Sequence, residues 1–152
     1  MKVEINSVVP ASREATWALV MDIPRAASCI PGIKDVIPDG EGRYQATLTA
    51  RVGPMGMSLS GTITVLSQDA EAGEARFLVE ANDRRVGGGV KTNMTMKVTA
   101  KSPNETELEI VADTTFLGRL GELGQPIIRR KARNTLEEFS KNLSKLLASE
   151  AE

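Results

Sequence analysis

The chain has 152 residues, 41% hydrophobic and 26% charged, an ordinary mix for one soluble domain spanning residues 1–152. Its net charge of −1 argues against a nucleic-acid binder, because such domains are usually basic. There is no histidine, so the commonest general base and the commonest metal ligand are both missing, and the single cysteine, Cys29, excludes an intramolecular disulfide.

No apolar run approaches the ~20 residues of a membrane-spanning helix, and a start without signal-peptide character makes a reducing cytoplasm the expected location. Lys2 to Val9 alternates, with Val3, Ile5, Ser7 and Val9 on one face, which predicts a half-buried strand. Pro10 stops it. Ser12 is suited to cap a helix that runs through Trp17, Leu19 and Val20 and pauses at Asp22-Ile23-Pro24. A second short helix, about Pro24 to Cys29, ends at Ile30-Pro31-Gly32. That turn is unusual. Pro-Gly is a strong stop, yet the stretch SCIPGIK around it is apolar. A greasy turn either plugs a core or sits at the mouth of something apolar.

From Asp35 the pattern is that of strands: Lys34 to Pro38, Tyr44 to Val52, Met57 to Val65, Glu74 to Ala81, Val90 to Ala100 and Thr106 to Phe116, separated by turns holding Gly, Asp, Asn or Pro. The period then changes. Pro126 suits a first helical turn, and Ile128, Ala132, Leu136, Phe139, Leu143, Leu146 and Leu147 share one face at 3.6-residue spacing. The order predicts an α+β fold, with about six antiparallel strands after the two short helices and a sheet curled around one long helix.

Several residues predicted to face inward are small: Ala46, Ala50, Gly61, Ala75, Ala81, Ala100 and Ala112. They sit beside Met57, Met94 and Met96, which are long and adaptable. Either the helix packs very close to the sheet, or an apolar cavity remains for a ligand. On the second reading Gly61→Leu and Ala112→Leu would fold normally while blocking uptake.

The IPG turn, the stretch ARVGPMGMSLSG, the VGGG before a strand, and LGELGQPIIRRKA with EEF in the last helix resemble the CoxG family, which takes its name from carbon monoxide dehydrogenase. The resemblance runs from about Val3 to Leu147. That family lies in the START-like helix-grip (SRPBCC) superfamily. It implies a curved antiparallel sheet of about six to seven strands gripping the C-terminal helix, with a hydrophobic ligand, a lipid or quinone, held between them. It also implies a partner enzyme of the molybdenum-containing CO dehydrogenase type. The ligand cavity is then expected at Tyr44, Leu48, Met57, Leu59, Gly61, Phe77, Met94, Met96, Ala112, Ile128, Leu136 and Phe139. In a helix grip the Ile30-Pro31-Gly32 turn lies near the start of the long helix, as a gate together with Leu120 and Gly121.

Catalytic and metal residues are expected to be absent, and no cofactor is expected. Cys29 has no histidine to activate it and reads as a small buried hydrophobe. Tyr44 falls on the inner face, either as a ligand contact or as a core tyrosine. RRVGGGVKT lacks the spacing of a phosphate loop and precedes a strand, so it reads as a bulged strand entry. The basic run holding Arg129, Arg130 and Arg133 is either a solvated helix face or a contact with anionic membrane. The segment Phe116 to Leu123, interrupted by Gly118 and Gly121, is expected to be a poorly fixed lid. Two functions stay open: a non-catalytic carrier of a lipid or quinone, cytoplasmic with peripheral contact at the inner membrane face, and a small cyclase- or dehydratase-like enzyme using the same cavity.

Overall fold

The computed structural model describes residues 1–150 apart from Gly53, Arg84, Val86 and Leu123. Strand β1 (Lys2–Val9) leads into helices α1 (Arg13–Met21) and α2 (Ile23–Ala27). The Ser12 hydroxyl accepts the Ala15 N–H at 3.1 Å and so caps α1. Pro24 opens α2 rather than extending α1, because its ring cannot continue a helix but suits a first turn.

Six strands follow: β2 (Ile33–Pro38), β3 (Arg43–Val52), β4 (Met55–Asp69), β5 (Glu74–Asp83), β6 (Gly88–Ser102) and β7 (Glu105–Gly118). A 3-10 turn, Arg119–Glu122, precedes the long helix α3 (Gln125–Glu150). All strands pair antiparallel in one curved sheet of order β1-β7-β6-β5-β4-β3-β2. This is the helix-grip architecture expected from the sequence, with seven strands, two short helices after the first, and one long C-terminal helix.

The register explains where the helices go. β1 pairs with the last strand, β7, with Ile5 opposite Ile110, while β2 lies at the far edge. The chain must therefore cross the sheet between β1 and β2, and α1 and α2 are that crossing. α3 lies over the same face. The Ser7 and Ser140 hydroxyls, 2.8 Å apart, tie it to β1.

Two strand ends differ from the sequence pattern, each at a bulge. Strand β4 continues to Asp69, past a register shift between Val65 and Ser67 that leaves Leu66 exposed. Alternation stops at the bulge, but backbone pairing does not. Strand β6 has its shift between Ala100 and Ser102, and Ala100, expected inward, is exposed.

Gly61 corrects the expectation that its small size marks empty space. A Cβ there would collide with the Glu80 carbonyl oxygen and lie 2.6 Å from the Ala81 Cα. The glycine serves the close approach of β4 to β5. Ala112 is likewise buried, within the main core between Val3 on β1 and Met94 on β6. Leucine at either position would overpack. Gly61→Ala is expected to lower stability by about 1–3 kcal/mol. Urea unfolding should show a lower midpoint with an unchanged slope.

Candidate functional site

The apolar interior is divided. The larger cluster includes Val9, Leu19, Phe77, Leu108, Ile110, Phe139 and Leu143. The smaller one, Val52, Met57, Leu59, Ala81 and Leu120, lies at the end of the sheet where β3, β5 and β7 finish. A cavity of about 150 Å³ lies between them. Leu48, Leu59, Ala81 and Val90 bound it on the side of the smaller cluster, and Ile63, Val79 and Met94 on the side of the larger. Thr135, Leu136 and Phe139 of α3 face the sheet across it, and Ile30 and Ile33 approach from the turn after α2. A second void of about 50 Å³ lies beneath α2 and the end of α1, against Val20, Ile23, Ala26 and Ala27.

Of the residues expected to line a cavity, Leu48, Leu59, Gly61, Met94, Leu136 and Phe139 border the larger void. Phe77 and Met96 border the smaller one. Four lie elsewhere. Met57 packs with Val52 and Leu120 in the smaller cluster, and Ala112 is core. Ile128 is buried near Phe116 and Gly121, two helical turns before Leu136. Tyr44 sits opposite Pro38 and Ile63, half-buried. Alternation gives the face of a strand but not the height along it at which the interior opens. For that reason it does not single out Ile33, Ile63, Val79, Val90 and Thr92, which also border the void. Sequence reasoning misses Thr135 too, although it lies seven residues after Ile128 and four before Phe139, on the apolar face of α3.

The apolar turn is fixed on both sides. The Gly32 carbonyl accepts the Thr49 N–H at 3.0 Å and its hydroxyl at 3.2 Å. Gly32 has φ +82°, and a Cβ there would collide with the Thr49 carbonyl oxygen, so both backbone conformation and space require glycine. The Cys29 carbonyl accepts the Asn142 side-chain N–H at 2.9 Å. Arg25 also pairs with Glu150. The turn therefore sits beside the C-terminal half of α3, not near its start as expected. Ile30 borders both voids, whereas Pro31 and Gly32 border neither.

The expected lid is more firmly held than its glycines suggest. Leu120 is 1% exposed and lies over Gly88, whose missing side chain leaves it room. It plugs the smaller cluster and does not line the cavity. Gly121 is exposed, and Leu123 lies outside the described residues.

Chemistry on the walls is sparse. Thr92 shares a hydrogen bond with Thr114 between hydroxyls 3.0 Å apart. Glu80 borders the cavity, but the residue is exposed. Burial pushes the Cys29 thiol up from its ordinary value, against smaller opposing effects of a Ser28 hydrogen bond and the Arg25 charge. Among the described residues, no cluster of Cys, Asp and Glu is placed to hold a metal ion. None of the described helices is long and apolar enough to cross a membrane.

Arg129, Arg130 and Arg133 are exposed, and Arg133 pairs with Glu137 at 3.5 Å. The start of α3 packs beside the end of β7, with Ile128 and Arg129 near Phe116 and Gly121. Arg51 near the end of β3, Arg85 in the β5–β6 turn and Arg119 after β7 belong to strand ends on that same side of the sheet. The Arg119 N–H donates to the Gly87 carbonyl at 3.1 Å, joining two of these segments. Leu117, at the end of β7, and Ile127, in the first turn of α3, are 48% and 44% exposed.

Many solved structures share the fold, among them the following three. A conserved protein from Geobacillus kaustophilus superposes with TM-score 0.88 at 20% identity, covering 98% of this chain and 96% of its own. A START superfamily protein from Mycobacterium smegmatis gives 0.68 at 18% identity, covering 97% of each chain. The Zhui aromatase/cyclase from Streptomyces sp. R1128 gives 0.64 at 16% identity, covering 99% and 93%. At these identities the likeness is one of fold. No curated protein matches the sequence. The sequence profile of CoxG, a family described by its place in carbon monoxide dehydrogenase, matches residues 6–148, nearly the whole chain, and the chain therefore belongs to the CoxG family.

Proposed function

We propose that this protein is a non-catalytic binder and carrier of a hydrophobic ligand, of the lipid or quinone class, serving an enzyme of the molybdenum-containing CO dehydrogenase type. The observation that carries this reading is the cavity at the break in the core. Its walls are almost wholly apolar, and the titratable residue bordering it, Glu80, is an exposed one on the sheet. Acid–base catalysis requires a proton donor or acceptor within hydrogen-bond reach of the substrate. Tyr44 and Cys29 do not border the cavity. These features favour carriage over the cyclase-like alternative, although the fold also hosts a cyclase. Family membership supports the enzyme partner.

Loading from a bilayer fits the basic end of the molecule. Arg51, Arg85, Arg119, Arg129 and Arg130 are exposed and belong to strand ends and a helix start on that side, as do the exposed Leu117 and Ile127. Basic residues beside an anionic surface contribute roughly 1 kcal/mol each, and apolar side chains add burial. The reading places the protein in the cytoplasm, in reversible contact with the inner face of the membrane.

Three outcomes test it. Ala46→Leu projects two more branches of hydrocarbon into the cavity. It should keep stability within about 1 kcal/mol of the parent yet abolish binding of N-phenyl-1-naphthylamine, followed by fluorescence. Equal binding by parent and variant would place the ligand elsewhere. Cys29→Ala should bind the probe as the parent does, since the thiol is a packing group. Cosedimentation with anionic vesicles should be salt-sensitive and should fall in the combined variant Arg129→Glu, Arg130→Glu, Arg133→Glu. Unchanged cosedimentation of that variant would make the run a solvated face.

A further inference from the structure

The two voids have walls in common. Ile30, Ile63, Val79, Met94 and Phe139 border both the larger and the smaller one. These five side chains form a partition between the space under Leu48 and Leu59 and the space under α2. Four of them are constrained. Ile63 and Val79 are β-branched and paired with each other across β4 and β5. Phe139 is 4% exposed in the main core. Ile30 belongs to the turn held by Asn142 and Thr49. Met94 differs, being unbranched, half-buried and free to turn about several bonds.

The sizes bear on what fits. The larger void, about 150 Å³, matches the roughly 150 Å³ apolar cavity that holds one benzene. The smaller adds about 50 Å³. Both together fall below the roughly 300 Å³ at which pockets for drug-sized ligands begin. A two-chain lipid is too large for them. A narrow molecule could occupy both spaces in line if the partition gave way at Met94.

We propose that the two voids are the ends of one track for a single, flexible hydrocarbon chain, and that Met94 is the specificity-determining residue that swings aside to join them. The proposal rests on the ligand-carrier reading and adds the shape of the ligand. A chain entering beside Leu48 and Leu59 passes Met94 and Phe139 and ends against Ala26 and Ala27. Ligands no longer than the first void bind without moving Met94, and longer chains bind only by moving it.

Displacement of N-phenyl-1-naphthylamine from the full chain by straight-chain primary alcohols tests this. In the parent, the concentration that displaces half the probe should fall about fourfold per added methylene, from hexanol through decanol. A fall that stops at hexanol would mean two separate voids and would overturn the proposal. Met94→Phe blocks the partition, and Ala26→Val fills the far void without touching the near one. Ala26→Val should bind hexanol as the parent does, and in both variants decanol should lose about tenfold or more of its advantage over hexanol. An advantage equal to the parent's in either variant, with a native circular dichroism spectrum, would overturn it. Should Met94→Phe not fold, the parent series and Ala26→Val still decide. If neither the probe nor any alcohol binds the parent, the carrier reading itself fails, a result distinct from a series that stops at hexanol.

Discussion

The pairing of the first strand with the last governs this molecule. With β1 hydrogen-bonded to β7, the strand that follows α2 joins the sheet at its far edge, beside β3. The connection must span the sheet, and it does so as two short helices on one face. The C-terminal helix leaves β7 on the same side. One broad, curved face is thus covered by one long helix and one short pair. A curved seven-stranded sheet offers more apolar surface than these helices cover evenly, and the core divides into two clusters. The cavity is a consequence of that topology as much as of the residues lining it.

The same constraint separates what is legible in the sequence from what is not. Element order, strand faces and the apolar stripe of α3 follow from periodicity, which is a local property. Ser12, Pro24 and Pro126 mark helix starts through equally local chemistry. The height of the cavity is hidden, because it depends on which rows of neighbouring strands come level. Met57 and Leu59 lie on the same face of one strand, yet Met57 fills the smaller cluster while Leu59 borders the void. Gly61 misleads for a related reason. Its lack of a side chain is compatible with empty space or with a close neighbour, and only the approach of Glu80 and Ala81 decides between them.

The greasy turn at Ile30 and Ile33 also has a resolved meaning. Its two isoleucines border the cavity, while its backbone is consumed by polar bonds to β3 and α3. A polar turn would have put hydrophilic side chains against an apolar interior. The Pro-Gly pair supplies the reversal and leaves the flanking positions free to be hydrophobic. The basic residues are likewise placed by the fold, since Arg51, Arg85 and Arg119 come from separate segments of the chain whose strand ends lie on one side of the sheet.

The polar ties of α3 are unevenly placed. Ser140 bonds Ser7 on β1, and two residues later Asn142 bonds the Cys29 carbonyl. Arg25 adds a pairing at Glu150. No comparable side-chain bond to another element is found among the described residues of α3 before Ser140. Mechanically, the helix is a lever with its fulcrum near Ser140 and Asn142. The long arm, from there back to Gln125, is about 22 Å at 1.5 Å per residue, so a tilt of only about 5° would lift its tip by about 2 Å. The cavity lies under that arm, against Thr135, Leu136 and Phe139, and the arginines ride near its tip. A tilt about those ties would therefore act on the buried contacts of Ile128 and, over the cavity, of Leu136 and Phe139 before it reached the hydrogen bonds.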